Sequence, residues 1–450
     1  MSFTQAVNRS ELNSSFYSTP TDHPPSSDSL LSPLQVTYPW MPFSMAPQSY
    51  DVPAELLACI LDNVRDRATL KSCSLACSSW TYFAQSRLFH EVIVDSDAKL
   101  RKLAALLRQS IHLSAHIRVL HIKLPQTLAN AHLIQMNTWI HDIPEHLAQH
   151  LTMLNTLHFT RVDFELVDGE YASEFTKFPG IRKLELTFCK FAHFGAFQDM
   201  LRPFTRSNKP ENKLESLSMD EVSWGDPPMM ECDTPQVEPP MLSLKRLEIA
   251  RHSKPHAMLQ WLLVTPGALA NLKEVVFQQI YPENLPDVGT FLYHLGSNLE
   301  HLTLGFKFDR APALQEMLND HLRLHVNTNL QTLHLRIMDN DPCYMTWVTA
   351  ILSDLALVGG PTLRRLTFDI WLWNRLQLNS YIWGNIQTIL NSPRYCSLEE
   401  VRFISLGHVV MPEAMGYDKT REAMHARLPE LFYRRILRVS DGKECTERPV

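Results

Sequence analysis

Residues 330–335 read LQTLHL, and the spacing of the three leucines decides the fold. On an α-helix the third leucine would point roughly 140° away from the first, so no common face would result. In an extended chain Leu333 and Leu335 lie on one side, as a strand with one buried face requires. The same i, i+3, i+5 pattern occurs at Ile117 (IRVLHI), Leu154 (LNTLHF), Ile181 (IRKLEL), Leu214 (LESLSM) and Leu244 (LKRLEI). It continues at Leu272 (LKEVVF), Leu299 (LEHLTL), Leu363 (LRRLTF) and Leu398 (LEEVRF). Successive copies start about 27 to 37 residues apart, a period typical of stacked solenoid repeats.

Between the predicted strands lie helical stripes. MTWVTAILSDLAL places Trp347, Val348, Ile351, Leu352 and Leu355 on one side, and GTFLYHLGSNL and GNIQTILNS behave alike. Strand followed by helix, repeated, predicts an α/β leucine-rich-repeat-like solenoid over residues 93–450, with a curved parallel sheet and helices on its outer face. The repeats are irregular. A leucine-rich repeat places Asn or Cys at its ninth position, where the side chain satisfies turn backbone groups. Only the Ile181 copy does so, with Cys189; Val162, Val222, Ile280 and Leu406 stand there in others. The acidic, Pro-rich stretch Asp220 to Met241 is read as an exposed insertion loop.

At 450 residues and 45% hydrophobic, with net charge −6, the chain has ample material for a core and no global basic field. Nucleic acid and membrane partners are therefore not expected, and no apolar run is long enough to span a bilayer. The opening MSFTQAVNRS lacks a charged segment followed by an apolar one, so no secretory signal is expected. Eight cysteines in such a chain are read as reduced thiols of cytoplasm or nucleus, where the sequons at Asn8 and Asn13 carry no meaning. Residues 1–48, crowded with Ser, Thr and Pro, are read as disordered. Thr19-Pro20 and Ser32-Pro33 there are read as parts of a bare linker rather than phosphorylation sites.

At Asp51 the pattern changes. Pro53 suits a first helical turn, and Leu56, Leu57, Ile60, Leu61 and Val64 form an apolar face. Asp66 and Thr69 are candidate N-caps of a second helix striped by Leu70, Cys73, Ala76, Cys77 and Trp80. TYFAQSRLF continues as a short helix, and EVIV reads as a strand. A helical unit of about forty residues is marginal on its own, and a spare apolar face suggests a partner.

This unit, residues 50–92, resembles an F-box. The pattern Leu-Pro-x-Glu-Leu, Ile/Leu-Leu, Cys-x-x-Trp, Leu-Phe stands here as Val52-Pro53-Ala54-Glu55-Leu56, Ile60-Leu61, Cys77-x-x-Trp80 and Leu88-Phe89. The wording TLKSCSLACSSW is similar to F-box proteins of mushroom-type fungi, in which irregular leucine-rich repeats follow. The one departure is Val52 in place of leucine. The resemblance implies a substrate-recognition subunit of a Skp–cullin–F-box ubiquitin ligase, docking on the Skp adaptor and through it on a cullin–RING assembly, with a protein substrate held by the repeats. It implies that Val52, Pro53, Glu55, Leu56, Ile60 and Leu61 face the adaptor. Leu75, Cys77, Trp80 and Leu88 join them or complete the small core. The alternative is a scaffold outside ubiquitin transfer, in which residues 50–92 only cap the solenoid.

No catalytic or cofactor site is expected. Cys73 and Cys77 lack a second ligand pair with recognised spacing, and are read as small packing residues. His112/His116 and His321/His325 lack the Glu of His-Glu-x-x-His and are read as solvated helix histidines. Gly-x-Ser-x-Gly, P-loop and Gly-x-Gly-x-x-Gly motifs are missing, and only 14 glycines are present. Trp371, Trp373 and Trp383 suit a recognition patch or, on their alternation, packing into the solenoid. The basic LFYRRILRV near the end is read as a closing element. Substrate contacts are expected where i+2, i+4 and i+6 of each strand point away from the core. Those positions hold His121, Lys123, His158, Lys183, Glu185 and Asp220, then Arg246, Glu248, Glu274, His301 and His334. They continue with Arg336, Arg365, Asp369, Glu400 and Arg402, a mixed set of charges.

Overall fold

The computed structural model describes residues 52–124, 138–165, 174, 177–178, 180–204, 213–225, 242–251, 255–307, 314–336, 346–357, 362–370, 383–406 and 416–442. Residues 1–48, most of the insertion (226–241), Trp371 and Trp373 lie outside them. Each of the ten hexads forms a strand. The strands are β2 Val119–Lys123, β3 Thr156–Thr160, β4 Lys183–Thr187, β5 Ser216–Asp220, β6 Arg246–Ile249, β7 Glu274–Ile280, β8 His301–Phe306, β9 Thr332–Arg336, β10 Arg365–Ile370 and β11 Glu400–Ser405. With β1 Glu91–Val94 before them and β12 Leu437–Asp441 after, they make one twelve-stranded parallel sheet in which spatial order follows chain order.

Three helices precede the sheet: α1 Ala54–Asp62, α2 Arg67–Ala76 and α3 Ser78–Leu88. Between strands lie α4 Asp97–Gln109, α5 Asp142–Leu147, α6 Phe194–Leu201, α7 Pro255–Val264, α8 Leu285–Leu295, α9 Leu314–His321, α10 Thr346–Leu355 and α11 Trp383–Leu390. α12 Tyr417–Arg427 and α13 Pro429–Tyr433 precede the closing strand. Strand and helix alternate because the leucine hexad buries one strand face against the helix that follows. In the β8 copy Leu299, Leu302 and Leu304 are all buried, as are Leu330, Leu333 and Leu335 in the next. Each contributes about 2 kcal/mol by leaving water.

Successive repeats share a backbone join. The Glu300 carbonyl accepts the N–H groups of Gln331 (2.8 Å) and Thr332 (3.1 Å), and Glu215 does the same for Lys245 (2.7 Å) and Arg246 (3.0 Å). After β3, β4 and β5 the chain turns through Arg161, Phe188 and Glu221, each with φ between 54° and 61°. Their N–H groups reach Thr187, Asp220 and Arg251 carbonyls, at 2.8 Å in each case. The next residue, at the ninth position, is buried in these three copies: Val162, Cys189 and Val222. Cys189 lies 3.5 Å from the Phe159 and Thr187 carbonyls, and burial pushes its thiol up to about 12. Where valine stands, the ninth side chain has no hydrogen-bonding group to add, and after β5 the Asp220 carboxylate accepts the Arg251 N–H at 3.2 Å instead. The start of the insertion is ordered by backbone bonds, since Ser223–Trp224 pairs with Lys190–Phe191 in a two-stranded sheet.

Asn327 supplies a polar clamp that the hexads did not reveal. Its buried amide donates 2.9 Å hydrogen bonds to the Leu292 and Gly296 carbonyls, at the C-terminal end of α8. Asn327→Ala would leave those carbonyls without their donor and is expected to cost about 2 kcal/mol in urea unfolding. Asn329→Ala removes an exposed bond to Ser297 and is expected to cost under about 0.5 kcal/mol.

The expected solvated histidines are corrected in part. His116 ends a short 3₁₀ segment, is buried, and lies against the Tyr82 ring. His321 ends α9 whereas His325 lies in the next turn, tied to Asp354 at 2.9 Å. Trp383 is buried edge-on against Phe403. LFYRRILRV does close the sheet, as the end of α13 and most of β12.

Candidate docking surfaces

The three N-terminal helices have a small core of their own: Leu61, Leu70, Ala84 and Leu88, with Val64, Cys73, Trp80 and Phe83 packed against it. Asp66 is the cap of α2. Its carboxylate accepts from the Thr69 N–H (2.7 Å) and hydroxyl (2.6 Å) and from the Ala68 N–H (3.3 Å). The Thr69 hydroxyl, with those backbone bonds, holds the Asp66 carboxyl below its usual range. Cys77 is the single extended residue between α2 and α3 (φ −161°, ψ 161°). Its carbonyl accepts the Trp80 N–H at 3.2 Å, so the Cys-x-x-Trp spacing is that of a helix start. The Ser79 hydroxyl, 3.1 Å from the Cys77 sulfur, lowers that thiol, helped by the Trp80 N–H.

The residues expected at the adaptor separate into two groups. Leu56 is 55% exposed, Ile60 49% and Leu75 86%. Val52, Pro53, Glu55 and Cys77 are exposed as well. Leu56 and Ile60, four apart, form one ridge of α1. Leu61 is completely buried, Leu88 nearly so, and Trp80 is half-buried. These three therefore hold the helices together; Leu61, expected to face outward, is a core residue because the buried side of α1 packs on α3. Tyr82, 62% exposed, is an apolar surface residue that the sequence pattern did not single out.

The helices run on into the sheet. Phe89 packs against both the small core and the long one. The His90 carbonyl accepts the N–H groups of Arg118 (2.9 Å) and Val119 (3.0 Å), which is the repeat-to-repeat join described above. From Pro53 onward the described residues belong to one compact unit.

The second surface is the sheet face away from the helices. Every expected position in the described strands lies there, and most are partly exposed. Many of its side chains are paired. The His121 and His158 rings stack at 4.0 Å and 6°. The Thr160 hydroxyl lies 2.8 Å from His121 Nε2 and Thr187 lies 3.2 Å from His158 Nε2, while Glu91 and Glu185 approach the two Nδ1 atoms at 3.6 and 3.5 Å. Two hydroxyl donors and two carboxylate acceptors suit two neutral imidazoles protonated on Nδ1. Lys183 also pairs with Glu185 at 2.7 Å. Further along, Arg246 lies between Glu274 (2.6 Å) and Glu248 (3.0 Å), and Arg251 holds Asp220 at 2.9 Å. Asp369 is buried under His334 (2.7 Å) and Arg336 (3.1 Å), so it is covered rather than presented. Arg402 pairs with Glu400 at 2.7 Å.

The stacked histidines cannot share a metal ion, since each ring nitrogen directs its lone pair in its own plane and the planes are parallel. Among the described residues no group of three or more His, Cys, Asp or Glu is placed to hold a metal ion. A cavity of about 260 Å³ lies between α8 and α9, lined by Thr290, Tyr293, Asp320, His321 and Arg323 among others. It contains no nucleophile paired with a base. Among the described residues no helix is long and apolar enough to cross a membrane.

Burial lowers the His121 imidazole to about 4, with the neighbouring His158 adding to the effect. Burial lowers His158 too, against the pull of Glu185 and Glu91; Lys183 and Lys123 also face the pair. An unfolded histidine takes up a proton near pH 6.5, while the folded pair resists it, so stability is complete above about pH 6.5 and falls as pH drops towards 4. Full linkage would give about 3 kcal/mol, and solvent at this face reduces the expected loss to about 1–2 kcal/mol. Unfolding free energies from urea at pH 7 and pH 5, a window that covers only part of that fall, should differ less in His121→Asn than in wild type, by about 1 kcal/mol.

No family model matches the chain, and no curated protein matches it. Among solved structures it is similar to the Rad7 and Elc1 complex in yeast, at 13% identity and a TM-score of 0.27, over 78% of this chain and 92% of that one. A likeness this slight carries no argument.

Proposed function

We propose that this chain is a non-catalytic substrate receptor of a Skp–cullin–F-box ubiquitin ligase, acting in the cytoplasm or nucleus. The observation that carries the reading is the exposed ridge Leu56–Ile60 with Leu75, presented by helices whose own core is already filled. Side chains of that size left in water on a small unit favour association by burial. The F-box resemblance of residues 50–92 names the partner as the Skp adaptor. The repeat sheet would then hold a protein substrate, and the contribution to ubiquitin transfer would be proximity and orientation. The full chain, co-expressed with a Skp adaptor, is expected to co-purify with it in a one-to-one complex. Recovery of the chain free of adaptor would refute the proposal.

A second reading has one observation in its favour. The His90 join and Phe89 make α1–α3 continuous with the repeats, as a solenoid cap would be. A cap, however, presents a polar outer face, and the Leu56–Ile60 ridge is apolar. Limited proteolysis separates the two, because a cap is protected together with the repeats, whereas a separable module is released by cleavage near residues 92–100.

A further inference from the structure

The open face is not uniform in charge. From β1 to β7 most of its ionic side chains are matched, His121 and His158 by Glu91 and Glu185, and Arg246 by two carboxylates, although Lys123 is exposed with no carboxylate partner among the described residues. From β10 to β12 they are not. Arg402 has Glu400, whereas Arg365 and Arg438 are exposed and have no carboxylate partner among the described residues. Arg365 is in register with Glu400, and Arg402 with Arg438. Directly opposite like charges on neighbouring strands are unfavourable, and the single carboxylate of Glu400 stands among three guanidinium groups, so this edge of the sheet favours an anionic partner.

We propose that Arg365, Arg402 and Arg438 seat an acidic segment, rich in Asp and Glu, of the protein bound on the open face. The inference rests on the reading of that face as the substrate-holding surface. Two strand spacings and a two-residue offset separate Arg365 from Arg438 by roughly 10–12 Å. An extended peptide covers that span in about four residues, so carboxylates at i and i+4, on one side of the peptide, meet both guanidinium groups. The planar guanidinium fork matches a carboxylate in bidentate fashion. Arg402 completes the row from the middle strand, drawn away from Glu400 by the incoming acid.

The test uses a fluorescein-labelled ten-residue peptide alternating Glu and Ser, its Gln–Ser counterpart, and a counterpart in which phosphoserine replaces Glu, with anisotropy read on the full chain. The Glu peptide is expected to bind at least about tenfold tighter than the Gln peptide, and Arg365→Glu with Arg438→Glu to remove that preference. Both arginines are exposed, so the fold is expected to persist, and Arg365→Gln with Arg438→Gln should give an intermediate loss. Equal binding of Glu and Gln peptides overturns the proposal, as does tighter binding of the phosphoserine peptide or displacement by oligouridylate at lower concentration than by unlabelled Glu peptide. Adaptor capture reads the other claim separately. The arginine variants should keep it, and its absence beside intact Glu-peptide binding would sink the ligase reading alone.

Discussion

Leu56→Asp combined with Ile60→Asp is expected to weaken capture of the Skp adaptor by more than about 100-fold, and to leave the protein's thermal unfolding unchanged. Both side chains are about half exposed, so neither substitution opens a cavity or buries a charge in the free chain. In a docked complex the same positions lose water. A carboxylate desolvated there without a partner costs several kcal/mol, and one apolar anchor removed from the centre of an interface costs about 2 kcal/mol or more. Two such changes together exceed the roughly 2.7 kcal/mol that a 100-fold loss represents. Leu61→Asp would also abolish capture, but for another reason. Leu61 is completely buried, and a charge there melts the three helices, so circular dichroism separates the two variants. Capture by the double variant within threefold of wild type would refute the docking surface.

The strands were legible because each hexad states two facts at once, a period of two and a recurrence about every thirty residues. The ends were harder to read, for reasons found in particular residues. β12 escaped the pattern because its first position is occupied by Arg434 rather than a leucine; that arginine instead donates to the Leu390 carbonyl at 3.1 Å. Around β1, Phe89, Val92 and Val94 do follow i, i+3, i+5, yet Phe89 also ends the F-box pattern. One residue serves both units, which is why a boundary at residue 92 describes composition better than packing. The ridge on α1 was visible as an apolar stripe, but a stripe does not say which of its members face inward. Packing against α3 chose Leu61 and left Ile60 out. The mixed charge of the open-face positions is stated by their residue types alone. Their pairing depends on cross-strand register, which one sequence does not state. Asn327 gave no signal, since the carbonyls it satisfies belong to the preceding repeat.

Gly289→Val is expected to destabilise the repeats by about 3–4 kcal/mol, although helix propensity alone favours losing a glycine. Gly289 is buried in α8, where the last turn of α9 crosses it. A Cβ at this position would lie 2.0 Å from the His321 carbonyl oxygen and 2.8 Å from its carbon. Both atoms are main chain, so relief requires moving α9 rather than turning a side chain. Alanine would gain about 1 kcal/mol of helix propensity and lose about 2–3 kcal/mol, the upper part of the usual overpacking range, against a fixed main chain, for a net loss of about 1–2 kcal/mol. Valine adds two methyl groups against the same backbone and forfeits most of the propensity gain. Gly384 in α11 is the control, because a Cβ there meets nothing within 4 Å, so Gly384→Ala should be neutral or stabilising by up to about 0.5 kcal/mol. Denaturant midpoints of the three variants should therefore fall in the order Gly384→Ala, Gly289→Ala, Gly289→Val, with the first no lower than wild type. A Gly289→Val midpoint equal to wild type would mean that α8 and α9 do not approach through this glycine. Because neighbouring repeats stabilise one another through their interfaces, hydrogen exchange should show the lost protection concentrated in α8, α9 and strands β8 and β9, with α1–α3 unaffected.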